Sequence, residues 1–121
     1  MKPLLAKELA NFLNRFGNFV DGEIRSIDII SPTSMKLVLA GQDQARGFDW
    51  LTVELEFDGV SDARLIDGAK LALLDMSNGI SLLYEDSNFY FGIDNYDTVS
   101  SITNSISYIT SSTLKYQEGS F

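Results

Sequence analysis

The stretch from Phe48 to Phe57 (FDWLTVELEF) constrains this chain more than any other. Leu51, Val53, Leu55 and Phe57 fall on one side of an extended backbone, and Trp50, Thr52, Glu54 and Glu56 fall on the other. Side chains of a strand alternate between faces, so the pattern predicts a central strand with one buried and one wet face.

The residues before it supply its neighbours. Glu23 to Ile30 (EIRSIDII) and Met35 to Ala40 (MKLVLA) read as two strands of a hairpin, turned by Ser31-Pro32-Thr33-Ser34. The polar loop Gly41 to Gly47 leads into the central strand, and loops this short predict an antiparallel three-strand meander. Upstream, Leu5, Leu9, Phe12 and Phe16 recur at helical spacing, with Leu4 and Leu13 widening the stripe. Pro3 suits a first turn and Gly17 the left-handed position past the end, which predicts a helix over 3–16. Its polar face mixes Lys7, Glu8, Asn11, Asn14 and Arg15, so packing on the sheet is favoured over a membrane surface.

Downstream the pattern weakens. Residues 60–66 suit an edge strand or a descending loop. Asn78-Gly79 between two apolar runs is a hairpin signal, predicting arms at 70–76 and 80–85, although Ala, Leu and Lys in 67–76 also suit a helix. Glu85 to Asn88 reads as a turn and Phe89 to Ile93 as a short aromatic strand. From Thr98 to Thr113, ten of sixteen residues are Ser or Thr. Val99, Ile102, Ile106 and Ile109 keep helical spacing there, whereas Ile102, Ile106, Tyr108, Leu114 and Tyr116 keep strand spacing. Weak helix propensity selects a strand pair at 104–110 and 113–118. The fold class is therefore α+β: an N-terminal amphipathic helix packed on a mostly antiparallel, meander-like sheet, one domain over 1–121.

Composition narrows function by what is missing. The chain has no cysteine and no histidine, which removes disulfides, thiolate chemistry, imidazole-bound zinc and a Ser-His-Asp triad. Seventeen acids stand against nine bases, a net charge of −8 without a basic stripe, so neither a nucleic acid nor an anionic membrane is an expected partner. No apolar run approaches the roughly 20 residues that span a bilayer, and Lys7, Glu8 and Arg15 interrupt the apolar N-terminus. The chain reads as cytoplasmic.

The carboxylates Glu54 and Glu56 lie about 7 Å apart on one strand face, a spacing compatible with acid–base work, but alternating acids suit a solvated face as well. The runs Glu85-Asp86-Ser87-Asn88 and Asp94-Asn95-Tyr96-Asp97 lack the calcium-loop pattern and read as turns. The Gly41–Gly47 loop lacks the lysine of a phosphate loop. No catalytic residue, metal ligand or cofactor is assigned. Trp50, Tyr84, Tyr90, Tyr96, Tyr108 and Tyr116 exceed what the core of one small domain takes in; capping of the sheet edges or the core margin is the favoured reading of them, and anchoring of a protein contact the functional one. The expected function is a non-catalytic protein-binding module with Trp50, Glu54 and Glu56 as contacts. An antidote- or immunity-like protein covering a basic partner is one form of it. A small enzyme or ligand carrier with a pocket between helix and sheet, and a structural subunit of a homo-oligomer, are the alternatives.

Overall fold

A computed structural model describes all residues, 1–121. Seven strands form one antiparallel sheet: β1 (Lys2–Pro3), β2 (Glu23–Ser31), β3 (Ser34–Asp43), β4 (Asp49–Arg64), β5 (Ile80–Glu85), β6 (Asn88–Ile93) and β7 (Tyr108–Ser120). Their order is β2-β3-β4-β7-β6-β5, with β1 on the free side of β7. Two helices complete the fold, α1 (Leu9–Arg15) and α2 (Val99–Thr103). The α+β architecture is the one the patterning predicts.

The central strand behaves as its alternation requires. Leu51, Val53, Leu55 and Phe57 are buried, while Thr52, Glu54 and Glu56 are half-buried and Trp50 is exposed. β3 pairs with it in unbroken register from Ser34↔Asp58 to Asp43↔Asp49, which puts Met35, Leu37 and Leu39 on the same inner face. The strand also runs past its predicted end. Residues 60–64 continue β4 and pair with β7, so they are neither an edge strand nor a loop. The register shifts between Val60 and Asp62, beside Gly59, whose φ is +65°. That left-handed conformation favours glycine, and a Cβ there would also displace the Ser112 hydroxyl, whose Oγ lies 2.0 Å from its position.

The chain thus builds two three-strand meanders, β2-β3-β4 and β5-β6-β7, joined through the β4–β7 pair. The second comes round to meet the helix: β5 touches α1, and the Asn18 carbonyl oxygen lies where a Cβ on Gly79 would stand, 2.0 Å away. Gly79 has φ +69°. The chain does turn at Ser77-Asn78, the Gly79 N–H donating to the Met76 carbonyl oxygen at 3.0 Å, and the glycine lets this turn sit against Asn18 in the Gly17–Phe19 turn. Of the two expected arms, 80–85 is β5 and 70–76 is not a strand. Residues 68–73 form a 3-10 helix, and β5 pairs instead with β6 through Asp86 and Ser87, both at positive φ.

The N-terminal helix is shorter than predicted. Lys2 and Pro3 pair with Tyr116 and Lys115, where a proline without an N–H is tolerated because that side of β1 carries no further strand. The Leu5 N–H donates to Glu8 Oε1 at 3.0 Å, and a 3-10 turn at Ala6–Glu8 precedes α1. Leu5 is exposed, while Leu4, Leu9, Phe12 and Phe16 are buried. Gly17 ends the helix at φ +57°, as its position predicts. Phe16 stacks on Phe19 with centroids 5.0 Å apart, and Phe12 meets Phe16 at 5.3 Å and Tyr116 at 5.4 Å. These rings fill the space between helix and sheet, each fully buried one contributing about 1.5–3 kcal/mol.

The Ser/Thr-rich segment is not a strand pair. It divides into α2 and the single strand β7, which runs through Ser111 and Ser112 without a break. Thr98 caps α2, its Oγ1 accepting the Ser101 N–H at 3.2 Å, and Ile102 is buried against Gly92. Ile106, assigned to both periods, is 75% exposed.

Candidate functional site

The outer face of β2-β3-β4-β7 is where Trp50, Glu54 and Glu56 lie, all on β4. The register surrounds them with Lys36, Val38, Ala40 and Gln42 from β3 and with Lys115, Gln117 and Gly119 from β7. Glu56 stands directly opposite both lysines in register. The lysines nevertheless reach diagonally, Lys36 Nζ to Glu54 at 3.3 Å and Lys115 Nζ to Asp58 at 3.9 Å, so Glu56 has no ion pair. Glu54 and Glu56 share this face but have different surroundings: one carboxylate is partly neutralised and the other is free.

Trp50 sits some four residues, about 13 Å of strand, from Glu54. It is 39% exposed and packs on Phe121 with centroids 5.4 Å apart. The Arg25 guanidinium lies 4.2 Å over the other ring's centroid and donates to the Phe121 carbonyl oxygen at 3.2 Å. Phe48, two residues before Trp50, is also exposed and has φ +66°, a conformation that costs a bulky residue of order 1–3 kcal/mol. Its N–H donates to the Asp43 carbonyl oxygen at 2.9 Å, and its own carbonyl accepts from Gln42 Nε2 at 3.3 Å. Neighbouring backbone and side chains thus hold Phe48 in place. A cleft of about 520 Å³ opens here, lined by Arg46, Asp49, Trp50, Glu118 and Phe121 among others.

The rest of the aromatic surplus disperses. Tyr84 is exposed, Tyr90, Tyr96 and Tyr116 are half-buried, and Tyr108 is buried under the α2 side of the sheet. The expectation that Tyr108 belongs to an exposed set is therefore corrected. It points its hydroxyl at Asp62, donating to Oδ2 at 2.8 Å, and this bond to the carboxylate holds the phenol above its ordinary pKa.

Beside the Trp50 corner is a charged cluster that pattern reading misses. Asp43 is fully buried, yet it ends β3 at an inward-facing position. Arg15 of α1 forks onto it, Nε to Oδ1 at 2.9 Å and Nη2 to Oδ2 at 2.6 Å, while the Ala45 N–H donates to Oδ1 at 2.9 Å. Arg15 also reaches Glu118 of β7 at 2.5 Å, and Arg46 reaches both Glu118 at 3.3 Å and Asp43 at 3.6 Å. The hydrogen bonds from Arg15 hold the Asp43 carboxyl below its ordinary range, against the opposing effect of burial. The same bonds push the Arg15 guanidinium further up. A charge at a position whose parity says buried was the available signal. Its partner 28 residues earlier in sequence carried none.

No group of three or more Asp and Glu residues is arranged to hold a metal ion. A groove of about 200 Å³ runs along the helix flank beside Phe12 and Tyr116. No helix is long and apolar enough to cross a membrane. No family model matches the chain, and neither does any curated protein or solved structure.

Proposed function

We propose that the chain is a non-catalytic protein-binding module whose partner presents a basic surface, an antidote-like protein over a basic toxin being one concrete form. The observation that carries the reading is the aromatic corner at one end of an uncovered sheet face. Trp50 and Phe121 pack there with their rings tilted by 54°, two residues along the chain from an exposed Phe48 in a costly backbone conformation. Rigid aromatic side chains at the centre of a patch are the usual anchors of protein contacts. Asp49 and the unpaired Glu56 lie along the same strand, in a chain of net charge −8, which favours fast encounter with a basic partner. A cytoplasmic location belongs to the same proposal and is compatible with a chain free of cysteine.

Affinity capture from the native cell tests it, with three baits: the natural chain, Trp50→Ala, and Glu54→Lys combined with Glu56→Lys. The natural chain recovers one basic protein in stoichiometric amount, recovery falls with added salt, and Trp50→Ala weakens binding about 30-fold. Recovery of no stoichiometric partner, or of one held equally by all three baits, overturns the reading.

A further inference from the structure

Arg25 stands at an irregular point of β2. Ile24 pairs with Leu39 and Ser26 with Val38, so Arg25 is the extra residue of a bulge and has no partner on β3. A bulge of this kind re-aims a side chain. Here the guanidinium meets Phe121, the residue after β7, across β3 and β4, a path of three strand spacings or about 14 Å. Glu23 Oε2 accepts from Arg25 Nε at 3.3 Å and steadies the guanidinium. Ala40, between Glu23 and Thr52 in register, is a small residue on this path and has no exposed surface. On the far side Thr52 Oγ1 donates to the Ser120 carbonyl oxygen at 3.3 Å, which ties down the backbone just before the ring. The Phe121 ring itself belongs to no part of the core and is 58% exposed. It has the guanidinium 4.2 Å over its centroid and the Trp50 indole at 5.4 Å.

We propose that Arg25 and Trp50 form a slot for one aromatic residue, and that Phe121 occupies it as an internal stand-in for an aromatic residue of the partner. Each wall contributes a different selectivity. The cation favours the electron-rich face of a ring over an aliphatic side chain of equal size. The indole adds an aromatic pair at a tilt that such rings prefer. Arg25 Nη1, donating to the Phe121 carbonyl oxygen at 3.2 Å, reads the backbone next to the ring. The occupant is thus a phenylalanine or tyrosine with an available carbonyl oxygen, and not an apolar surface in general. Phe121 has to leave before an outside ring enters, so it weakens the partner by the fraction of time it is bound. The slot rests on the protein-binding reading only in naming the outside ring as a partner's, and it is tested on the chain alone.

The chain has one tryptophan, so the Trp50 indole N–H gives one nitrogen–proton NMR signal that reports the slot. Phe121→Ala moves this signal through the loss of a ring current. Arg25→Gln moves it the same way, because a ring without its cation spends less time on the indole. Both residues are exposed, and unchanged signals from Val53 and Leu55 show the fold intact. N-acetyl-phenylalaninamide then returns the signal of Phe121→Ala towards its natural position, half-way at about 10 mM, the range of a contact made by a single ring. N-acetyl-leucinamide at the same concentration does not. With Phe121 in place about nine-tenths of the time, the natural chain responds about tenfold more weakly. Any one of four results overturns the slot: a Trp50 signal indifferent to Phe121→Ala or to Arg25→Gln, a phenylalanine compound without effect, a leucine compound as effective, or a natural chain that responds like the variant. Failure to capture a basic protein leaves these signals as they are and refutes the other reading alone.

Discussion

The Asp43 corner and the segment from Leu71 to Leu114 are held together by different forces. At the corner, two arginines and two carboxylates join α1, β3 and β7 around a carboxylate with no exposed surface. The segment, which makes β5, β6, α2 and the start of β7, contains Asp75, Glu85, Asp86, Asp94 and Asp97 and not one lysine or arginine. No ion pair of the molecule involves it. Apolar packing holds it, Phe91 meeting Phe57 with centroids 5.6 Å apart, together with hydroxyls that tie down loop backbone. Ser81 Oγ donates to the Asp94 carbonyl at 2.6 Å and accepts the Tyr96 N–H at 2.8 Å. Charge therefore fixes the joint between helix and sheet, while burial fixes the hairpin half. Changes of pH reach the two regions unequally.

The contrast can be broken from either side. Phe91→Ala has the largest expected effect, a loss of about 4 kcal/mol in urea unfolding, because a fully buried ring leaves a cavity in the half that no ion pair holds. Arg15→Ala follows at about 3 kcal/mol: it strands the Asp43 carboxylate in the interior, and the partial exposure of Arg15 keeps the figure at the low end for a broken buried pair. Lowering the pH discriminates further. The Asp43 carboxyl titrates below its ordinary 3.8 in the folded chain. Its contribution is complete above that value and is lost as pH falls through the lower folded one. Asp43→Asn should flatten the acid limb of the stability profile, whereas Phe91→Ala should shift the profile down without changing its shape. Ser81→Ala removes a two-way bridge and should cost about 2 kcal/mol, read as faster amide exchange at Tyr96. Thr98→Ala, which uncaps α2, should cost about 1 kcal/mol by urea unfolding.

How much of this was legible follows the same division. Strict alternation over residues 51–57 predicts the strand and its faces, because burial on one side leaves register no freedom. Residues 23–40 predict the hairpin, and Gly17 predicts the helix end. In the hairpin half the arm at 80–85, the turn at Glu85–Asn88 and the strand at Phe89–Ile93 are legible. The arm expected at 70–76 does not form, because the turn at Asn78-Gly79 follows a 3-10 helix packed beside β2 rather than a strand. In the Ser/Thr-rich segment both competing periods were real, the helical one in Val99 and Ile102 and the strand one from Tyr108 to Tyr116. The boundary between them was the missing piece. Of the site, Trp50, Glu54 and Glu56 were placed on the correct face. The diagonal reach of the two lysines, which separates Glu54 from Glu56, is a property of side-chain length that alternation does not encode.

The position of β7 sets an order of events during synthesis. β2, β3 and β4 can close as each leaves the ribosome, and β5 with β6 can close after them. The two sets of strands share no ladder until Tyr108–Ser120 has been translated and slots between them. Until that moment the nascent chain carries two open edges, β4 and β6, each awaiting the same late strand.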